Sequence, residues 1–227
     1  MGIVIALTIL TAWIFNLFFS LKFVSVNLLN PLFYFSVLLQ TYFFTGLFIT
    51  SHDAMHGNIT SNKFINNFIG KISCFLFAGL SYKRLIKNHF KHHSAPTSED
   101  DPDFDTHTQN FWLWWFKFMK EYTTVLQVII MAIFYNVLKY FSNEPAVVCF
   151  WLIPAILSTL QLFYFGTYIP HRHPERNLLK PHYARSQRKN HLFAMISCYF
   201  FGYHYEHHDS PKTPWWQLYK AGTLNNR

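Results

Sequence analysis

The sequence predicts an all-α protein that is embedded in a membrane. Hydrophobic residues make up 51% of the 227 residues and aromatic residues 20%, whereas charged residues make up only 13%. That charged share is about half of the share usual in soluble domains. The apolar residues also form long uninterrupted blocks, whereas a helix that packs on the core of a soluble protein needs a polar face toward the solvent. A soluble globular fold is therefore excluded, and we expect apolar spans joined by one hydrophilic face.

Four apolar blocks are long enough to be transmembrane helices. A helix of 20 residues is about 30 Å long, which matches the hydrocarbon core of a bilayer. A short polar link around Asn27 and Asn30 separates the first two blocks, and a turn-forming run at residues 142–145 separates the last two. We therefore expect two helical hairpins with spans at residues 3–21, 31–50, 124–141 and 146–169.

Three shorter stretches are expected at the membrane interface. Residues 64–82 are interrupted by polar side chains, residues 111–119 are rich in tryptophan, and residues 192–203 are too short to cross a bilayer. Aromatic and amphipathic segments are favoured at the level of the headgroups. No lysine or arginine precedes Lys22, which favours a retained first span over a cleaved signal peptide. Residues 1–227 are expected to form a single membrane-embedded domain.

The formal net charge of +8 is concentrated on one side of this arrangement. With two hairpins, every lysine and arginine except Lys22 and Lys139 falls on the side of the loop between the hairpins and of the C-terminal segment. The positive-inside rule makes that face cytoplasmic. Anionic lipid headgroups are the expected partners of such a face, so the charge does not indicate a nucleic-acid-binding protein.

Three groups of histidines lie on the same face, and their spacing is the most informative feature of the sequence. The first group follows the second span and has the pattern H-x-x-x-H, and the other two have the pattern H-x-x-H-H. On a helix, residues three and four apart lie on one side, so the rings of each group should converge. The groups are His52 and His56; His89, His92 and His93; and His204, His207 and His208.

This arrangement predicts a site that two metal ions share. Neutral imidazole binds zinc, copper, iron and nickel, and eight imidazoles exceed what one four-coordinate ion can bind. A zinc peptidase would need H-E-x-x-H, but Asp53 follows His52. A haem needs one axial histidine per iron face, and a carboxylate-bridged di-iron bundle would carry E-x-x-H pairs. The histidines therefore indicate an unusual centre in which imidazole dominates.

Four runs around these histidines carry a resemblance to a known family. The runs are ITSHDAMHG (49–57), KNHFKHHSAPTSEDDPDF (87–104), GTYIPHRHP (166–174) and CYFFGYHYEHHDSPKTPWW (198–216). They resemble the membrane fatty-acid desaturase and hydroxylase superfamily, and within it the bacterial and cyanobacterial β-carotene ketolases of the CrtW type. The resemblance implies an oxygen-activating enzyme with a non-haem di-iron centre on the cytoplasmic face.

The resemblance also implies which histidines bind iron. All eight histidines of the three groups match the family's iron-binding motifs, and His171, near the end of the fourth span, is a ninth candidate. His173 is a second-choice ligand that we expect at the surface. His107, His182 and His191 match no motif, and we expect them at the surface or at the membrane interface.

Acidic residues beside the histidines are candidates for orienting the ligands. Metal-bound histidines usually donate their second ring N–H to a carboxylate or a carbonyl, and the D-P-D-F motif recurs in the resembling family. We therefore expect Asp101 and Asp103 to support ligand histidines, and Asp53 and Glu206 to do the same within their own histidine motifs. The alternative is that residues 99–105 form a solvated acidic loop that offsets local positive charge.

The resemblance further implies a reaction and its partners. The chain would oxidise the C4 methylene of β-ionone rings to a ketone, converting β-carotene to echinenone and canthaxanthin by two O2-dependent hydroxylations and loss of water. The sequence has no G-x-G-x-x-G nucleotide-binding motif, so a separate carrier, ferredoxin by resemblance, would supply electrons at the basic face. The host membrane would be an inner, plasma or thylakoid membrane.

An apolar substrate would have to reach the irons from within the bilayer. We expect a tunnel lined by aromatic residues of the spans, such as Phe43, Phe44, Phe48, Tyr164 and Tyr168.

Two alternatives to a ketolase stay open. A fatty-acyl desaturase or hydroxylase, or a ring hydroxylase that stops at the alcohol, would share the histidine motifs. A non-catalytic membrane protein that binds or transports metal would instead place ionisable residues inside the spans. In this sequence Lys139, at a span boundary, is the one ionisable side chain of the predicted spans.

Overall fold

The computed structural model describes residues 1–174 and 180–224, and the regular structure within them is helical. The predicted all-α class is therefore confirmed. Arg176 and Arg227, which contribute to the predicted basic face, lie outside the described residues. The helices are α1 (Gly2–Phe23), α2 (Pro31–Met55), α3 (Lys63–Ala78), α4 (Tyr82–Ser94), α5 (Phe111–Tyr122), α6 (Val125–Phe141), α7 (Glu144–His171), α8 (His191–Cys198), α9 (His204–Asp209) and α10 (Leu218–Leu224).

Three of these helices, α1, α2 and α7, are each long and apolar enough to cross a membrane. Helix α6 matches the predicted third span closely, but its 17 residues extend only about 26 Å. It meets α5 at 92°, and α3 meets α4 at 98°. Each bent pair is apolar enough to be one broken span, so length and composition allow from three to five spans.

Both predicted links between apolar helices form, and an asparagine caps the helix that follows each one. The side chain of Asn30 accepts a hydrogen bond from the backbone N–H of Leu32 at 3.1 Å, and that of Asn143 accepts one from Ala146 at 2.9 Å. A side-chain oxygen at this position satisfies a backbone donor that the first helical turn leaves unpaired. A proline also lies in the first turn of each helix, where its missing N–H costs nothing.

Buried amides join the apolar helices to one another. The Asn16 side chain of α1 donates to Gln40 Oε1 of α2 at 2.7 Å, and both residues are buried. The Thr45 hydroxyl of α2 donates to Gln161 Oε1 of α7 at 2.5 Å, and the Gln161 amide donates to the Ser197 carbonyl. Hydrogen bonds of this kind hold helices together where the surroundings offer no water.

Helix α7 contains two widened turns, Val148–Leu152 and Tyr164–Tyr168. In the second, the Ile169 N–H donates to the carbonyl of Tyr164, five residues earlier instead of four. Proline has no N–H, so Pro170 leaves the carbonyl four residues before it without its usual donor. Pro154 follows the first widened turn in the same way. Widened turns of this type are frequent at functional sites, and α7 ends at the buried His171.

The two bends face each other. Gly79 ends α3 with φ +64°, and a Cβ there would lie 2.9 Å from the Ile130 side chain of α6. Only a glycine combines this backbone conformation with so close an approach. The α3–α4 bend therefore packs directly on α6, close to the α5–α6 bend.

The outer surface of the helices is apolar, as expected for a surface in contact with lipid. Leu138 is the one residue of α6 that is buried, whereas Val125, Ile133 and Val137 are exposed. An apolar surface of this extent would not be stable in water.

The buried pair Asn16 and Gln40 should contribute measurably to stability. Asn16→Leu or Gln40→Leu leaves the remaining amide unpaired in an apolar environment, so either change should lower the free energy of unfolding by about 1 kcal/mol. The double variant removes both amides and should recover part of that loss. Unfolding of the three variants in detergent micelles measures this, and strictly additive effects would contradict the expected coupling.

Candidate metal centre

All nine histidines that the sequence singles out come together at one end of the apolar helices. They are contributed by the C-terminal end of α2, by α4, by the last residue of α7 and by α9. All are buried except His93, which is half-buried.

The rings form two compact sets. In each set, one ring nitrogen from every histidine lies within 4.8 Å of the others. Within the sets, pairs of Nε2 atoms approach to 2.6 Å for His56 and His89 and to 3.0 Å for His92 and His208. The first histidine set is His52, His56, His89 and His207, and the second histidine set is His92, His171, His204 and His208.

His93 lies between the two sets. Its Nε2 is 2.9 Å from Nε2 of His207, a member of the first set. Its ring stacks on His208 of the second set, with ring centroids 4.1 Å apart. His93 could therefore bind an ion in the first set while it packs against the second.

Each H-x-x-H-H motif is divided between the two sets, which differs from the predicted convergence of each group. His89 and His207 belong to the first set, whereas His92, His204 and His208 belong to the second. Positions i and i+3 differ by about 60° around a helix. Helices α4 and α9 therefore lie between the two sets and present ligands to both.

Helix α4 carries histidines on its buried face and lysines on its exposed face. Leu85, His89 and His92 are buried, whereas Lys87 and Lys91 are exposed. The Ser81 side chain caps the helix by accepting from the Arg84 N–H at 3.4 Å. The same short helix thus supplies three imidazoles to the centre and a row of cations to the surface.

Burial keeps most of these imidazoles neutral. It lowers the pKa of His89, His207 and His208 well below the usual value, and the neighbouring histidines lower it further. It also lowers the pKa of His93 to about 2. A neutral ring has a lone pair available for a metal ion, so the donors are in the required protonation state.

The donor atoms fit bound metal ions. The Nε2 atoms of His52 and His171 are buried and have no hydrogen-bond partner among the described residues. The other ring nitrogen of His171, Nδ1, lies 3.0 Å from the Tyr183 carbonyl. Because a carbonyl can only accept, Nδ1 carries the proton and Nε2 directs its lone pair into the set. This second hydrogen bond is typical of metal-bound histidine.

The carboxylate of Asp101 contacts the ring of His92. Its carboxylate accepts from His92 Nδ1 at 2.9 Å and from the backbone N–H groups of Thr97 and Asp103 at 2.8 and 2.9 Å. Burial alone would lower the pKa of His92, but the charge and hydrogen bond of Asp101 outweigh it and raise this pKa. The same contact makes Nε2 of His92 the nitrogen that faces the second set.

Asp103 lies beside Asp101 but has a different partner. The buried Tyr122 hydroxyl donates to its carboxylate, and the Trp114 indole N–H donates to its backbone carbonyl at 2.9 Å. A carboxylate oxygen of Asp103 lies within 4.8 Å of a ring nitrogen of His92. Burial raises the pKa of Asp103 to about 6. Asp103 is therefore held by Tyr122 and lies beside His92, and among the described residues it makes no hydrogen bond to a histidine of the two sets.

Asp53 does not pair with a ligand ring, which differs from the expected role. It accepts from the Trp215 N–H at 3.1 Å, whereas its distance to His52 Nδ1 is 4.0 Å, too long for a hydrogen bond. Lys212 also donates to the His56 carbonyl at 2.6 Å. These contacts attach the segment after α9 to the end of α2. Asp53 therefore helps to fix the position of the third histidine motif relative to the first.

The Glu206 side chain also contacts a neighbouring segment instead of a histidine ring. Its carboxylate accepts from the Ser186 hydroxyl, and the Ser186 oxygen accepts from the Tyr205 N–H at 3.1 Å. This contact fixes the short helix α9 against the segment that precedes α8. The expected contact of Glu206 with a ligand histidine is replaced by this one.

The remaining histidines lie outside the two sets. His107 and His191 are exposed, and the His191 ring contacts the Tyr203 hydroxyl at 2.9 Å. His173 is half-buried, and its backbone N–H donates to Gln109 Oε1 at 3.2 Å. His182 was expected at the surface, but its ring centroid is 5.7 Å from that of His208. It therefore packs directly behind the second set.

A cavity of about 840 Å³, counting its open mouth, leads to both sets. Three histidines of the two sets, His89, His92 and His204, contribute to its wall. The wall is otherwise mostly apolar and comes from α2, α7 and both bends. The apolar residues include Phe48, Phe77, Leu80, Leu85, Leu162 and Phe201, and the polar residues include Asp103, Tyr122, Thr123, Gln127, Thr159 and Thr167.

The cavity follows a different route from the predicted tunnel. Of the five aromatic residues named from the sequence, Phe48 is the one that lines it. Phe44 is fully buried in the core, and Tyr164 is 41% exposed on the outer surface. The histidine motifs and apolar blocks did not point to Tyr122 or to the other lining residues of the α5–α6 bend. The sequence feature that could have indicated them is the polar run Tyr122-Thr123-Thr124 between two apolar stretches.

Comparison with known proteins identifies similar chains. The chain is 38% identical to the zeaxanthin 4-ketolase of Chlamydomonas reinhardtii over 79% of this chain and 42% of that protein. It is 34% identical to the beta-carotene 4-ketolase of Protosiphon botryoides, over 96% and 62%. It is 36% identical to a beta-carotene ketolase of a Paracoccus strain, over 78% and 74%. The chain thus spans less than two thirds of the length of the two algal relatives.

The sequence model of the fatty acid desaturase family matches residues 29–143 and 122–224, and so covers all three histidine motifs. The resemblance found from the four histidine-containing runs is therefore confirmed. The chain belongs to the fatty acid desaturase family, among relatives that are named as carotenoid ketolases.

Proposed function

We propose that the chain is a β-carotene 4-ketolase, which oxidises the C4 methylene of β-ionone rings to a ketone and converts β-carotene to echinenone and canthaxanthin. The observation that carries this proposal is the largely apolar cavity that ends on three ligand histidines from both sets. A long hydrocarbon would find an apolar path from the bilayer to that point. The ketolase names of the relatives support the same reaction.

Two non-haem irons are the proposed metal ions, held by the eight histidines of the two sets and by His93. When bound, they would supply activation of O2 for attack on a C–H bond. His171 and His92 are oriented by Tyr183 and Asp101, which keep their lone pairs directed at the ions. Membership of the fatty acid desaturase family supports iron over the other metals that imidazole binds.

The chain's own residues position the substrate and exclude water. Phe77, Leu162 and Phe201 would pack on the ring. Gly166 makes room for Phe201, because a Cβ at residue 166 would lie 2.1 Å from the Phe201 ring.

Two hydroxylations at C4, each consuming O2, two electrons and two protons and releasing one water, would give a geminal diol. Loss of a further water gives the ketone.

The proposed membrane arrangement is a single domain with four spans, α1, α2, α6 and α7, and with the histidines on the cytoplasmic face of an inner, plasma or thylakoid membrane. The exposed lysines of α4 support this orientation. An electron carrier such as ferredoxin would dock on the same face, since its acidic surface would complement those lysines.

Pigment analysis tests the proposed function. A bacterium that accumulates β-carotene and expresses this chain should convert it to echinenone and canthaxanthin, which chromatography with absorption detection separates. Products that stop at the alcohol, or that carry new double bonds, would replace the ketolase with a hydroxylase or a desaturase.

Single ligand replacements should abolish the reaction. His92→Ala and His207→Ala each remove one donor from a different set, so iron content should fall below two per chain and ketone formation should be lost. His107→Ala is the matched control, because His107 is exposed and away from both sets. Elemental analysis and pigment yield are the measurements. Full iron and full ketone in His207→Ala would contradict the proposed ligand set.

Asp101→Asn should weaken the centre without destroying it. An amide can accept the His92 N–H, but it removes the negative charge that stabilises the ring. Changes to such supporting residues typically cost about 10- to 100-fold in metal affinity or activity. The affinity for iron, measured by competition with a chelator, should fall by that factor, while some ketone is still formed. A loss as complete as that in His92→Ala would mean that Asp101 binds the metal directly.

The topology can be tested with single cysteines in a background that lacks the native ones. Cysteines at Asn62 and Lys91 should react with an impermeant reagent from the cytoplasmic side, and cysteines at Asn27 and Asn143 from the opposite side. All four residues are exposed. Labelling of Asn62 and Lys91 from opposite sides would make α3 and α4 a true span and would exclude the proposed arrangement.

A further inference from the structure

A buried phenol and a half-buried carboxylate form a polar pair in the wall of the largely apolar cavity. Tyr122, the last residue of α5, donates its hydroxyl to Asp103, and both side chains line the cavity near His92. Tyr122 is only 9% exposed. The pair therefore lies inside the cavity wall, at the end where the ligand histidines are found.

The metal ions alone do not account for this pair. Asp101 already accepts the His92 ring N–H, so the carboxylate of Asp103 is not needed to orient that ligand. A buried carboxylate is costly unless donors satisfy it. An ionised carboxylate has about four lone-pair positions, and the Tyr122 hydroxyl uses one of them. Asp103 can therefore accept a further hydrogen bond from a group in the cavity.

The position of the pair suits a hydroxyl on the reacting carbon. A carboxylate oxygen of Asp103 lies within 4.8 Å of a ring nitrogen of His92, so it lies beside a member of the second histidine set. A β-ionone ring without oxygen offers no hydrogen-bond donor. The C4 alcohol formed by the first oxidation offers an O–H at the carbon that must be oxidised again.

We propose that Asp103 and Tyr122 bind the hydroxyl of this ring alcohol and keep it in place for the second oxidation. This inference rests on the proposed function and concerns the same site. The alcohol would donate to the Asp103 carboxylate, and Tyr122 would hold that carboxylate toward the cavity. The pair would therefore distinguish a secondary ring alcohol from the parent hydrocarbon.

Tyr122→Phe removes one hydroxyl and leaves the ring, so it tests the pair with little change of shape. In cells that supply β-carotene, the ratio of 4-hydroxy product to ketone should rise at least about 10-fold, since a hydrogen bond to a charged group is worth roughly 10- to 100-fold in binding. Asp103→Asn should shift the ratio in the same direction. Consumption of β-carotene should fall less than ketone formation in both variants.

Tyr82→Phe is the matched control. Tyr82 is a buried tyrosine of the neighbouring helix α4, its hydroxyl has no hydrogen-bond partner among the described residues, and it does not line the cavity. This variant should keep the product ratio of the unchanged chain. Iron content, measured on all three variants, separates loss of metal from loss of alcohol binding. A parallel fall of iron, β-carotene consumption and ketone at a constant ratio would mean that the pair only supports the fold.

Binding to the purified chain gives a readout that does not depend on turnover. Quenching of tryptophan fluorescence in detergent measures the Kd of a 4-hydroxy carotenoid and of β-carotene. Tyr122→Phe should raise the Kd of the alcohol about 10-fold and leave that of β-carotene almost unchanged. An unchanged chain that binds the alcohol no more tightly than β-carotene would overturn the inference. An absence of any ketone in cells despite tighter binding of the alcohol would instead contradict the proposed function.

Discussion

The convergence of neutral imidazoles in a buried space is the constraint on which the rest of the structure depends. Four separate segments contribute to the two sets, and within each set ring nitrogens from three of these segments lie within 4.8 Å of one another. Lone pairs directed at each other without a cation would be unfavourable in so buried a site. Binding of metal ions would therefore supply free energy that joins the end of α2 with α4, the end of α7 and α9, and the fold and the centre would form together.

The carboxylates around the centre show how one residue type takes different tasks according to its surroundings. Asp101 accepts a ligand N–H, Asp53 attaches the C-terminal segment to the first histidine motif, and Asp103 is held by Tyr122 at the cavity wall. The first two contacts fix the positions of histidine motifs, and the third places a polar group in a largely apolar cavity wall. In the proposed function, orientation of the metal ligands and recognition of the substrate would therefore depend on neighbouring but different carboxylates.

The bends and the widened turns of the helices connect the apolar spans with this chemistry. Gly79 lets the α3–α4 bend pack on α6, and Gly166 gives space to Phe201 between the cavity and the His52 ring, whose centroid lies 4.9 Å from that of Phe201. The widened turn before Pro170 precedes His171 at the end of α7. Irregular backbone in a membrane protein is tolerated where it lines a cavity or is buried in protein, and Gly166 and Thr167 of the second widened turn line the cavity.

The sequence by itself determined the apolar helices, the histidine motifs and the contact of Asp101 with a ligand, because each depends on residues close together in the chain. Periodic spacing places neighbouring residues on one face of a helix, and the length of an apolar stretch can be compared with the thickness of a bilayer. Only the tertiary structure decided how each H-x-x-H-H motif is divided between two sets, that His182 packs behind His208, and that Tyr122 reaches Asp103. These features depend on how separate helices are placed against one another, and local spacing carries no information about that placement.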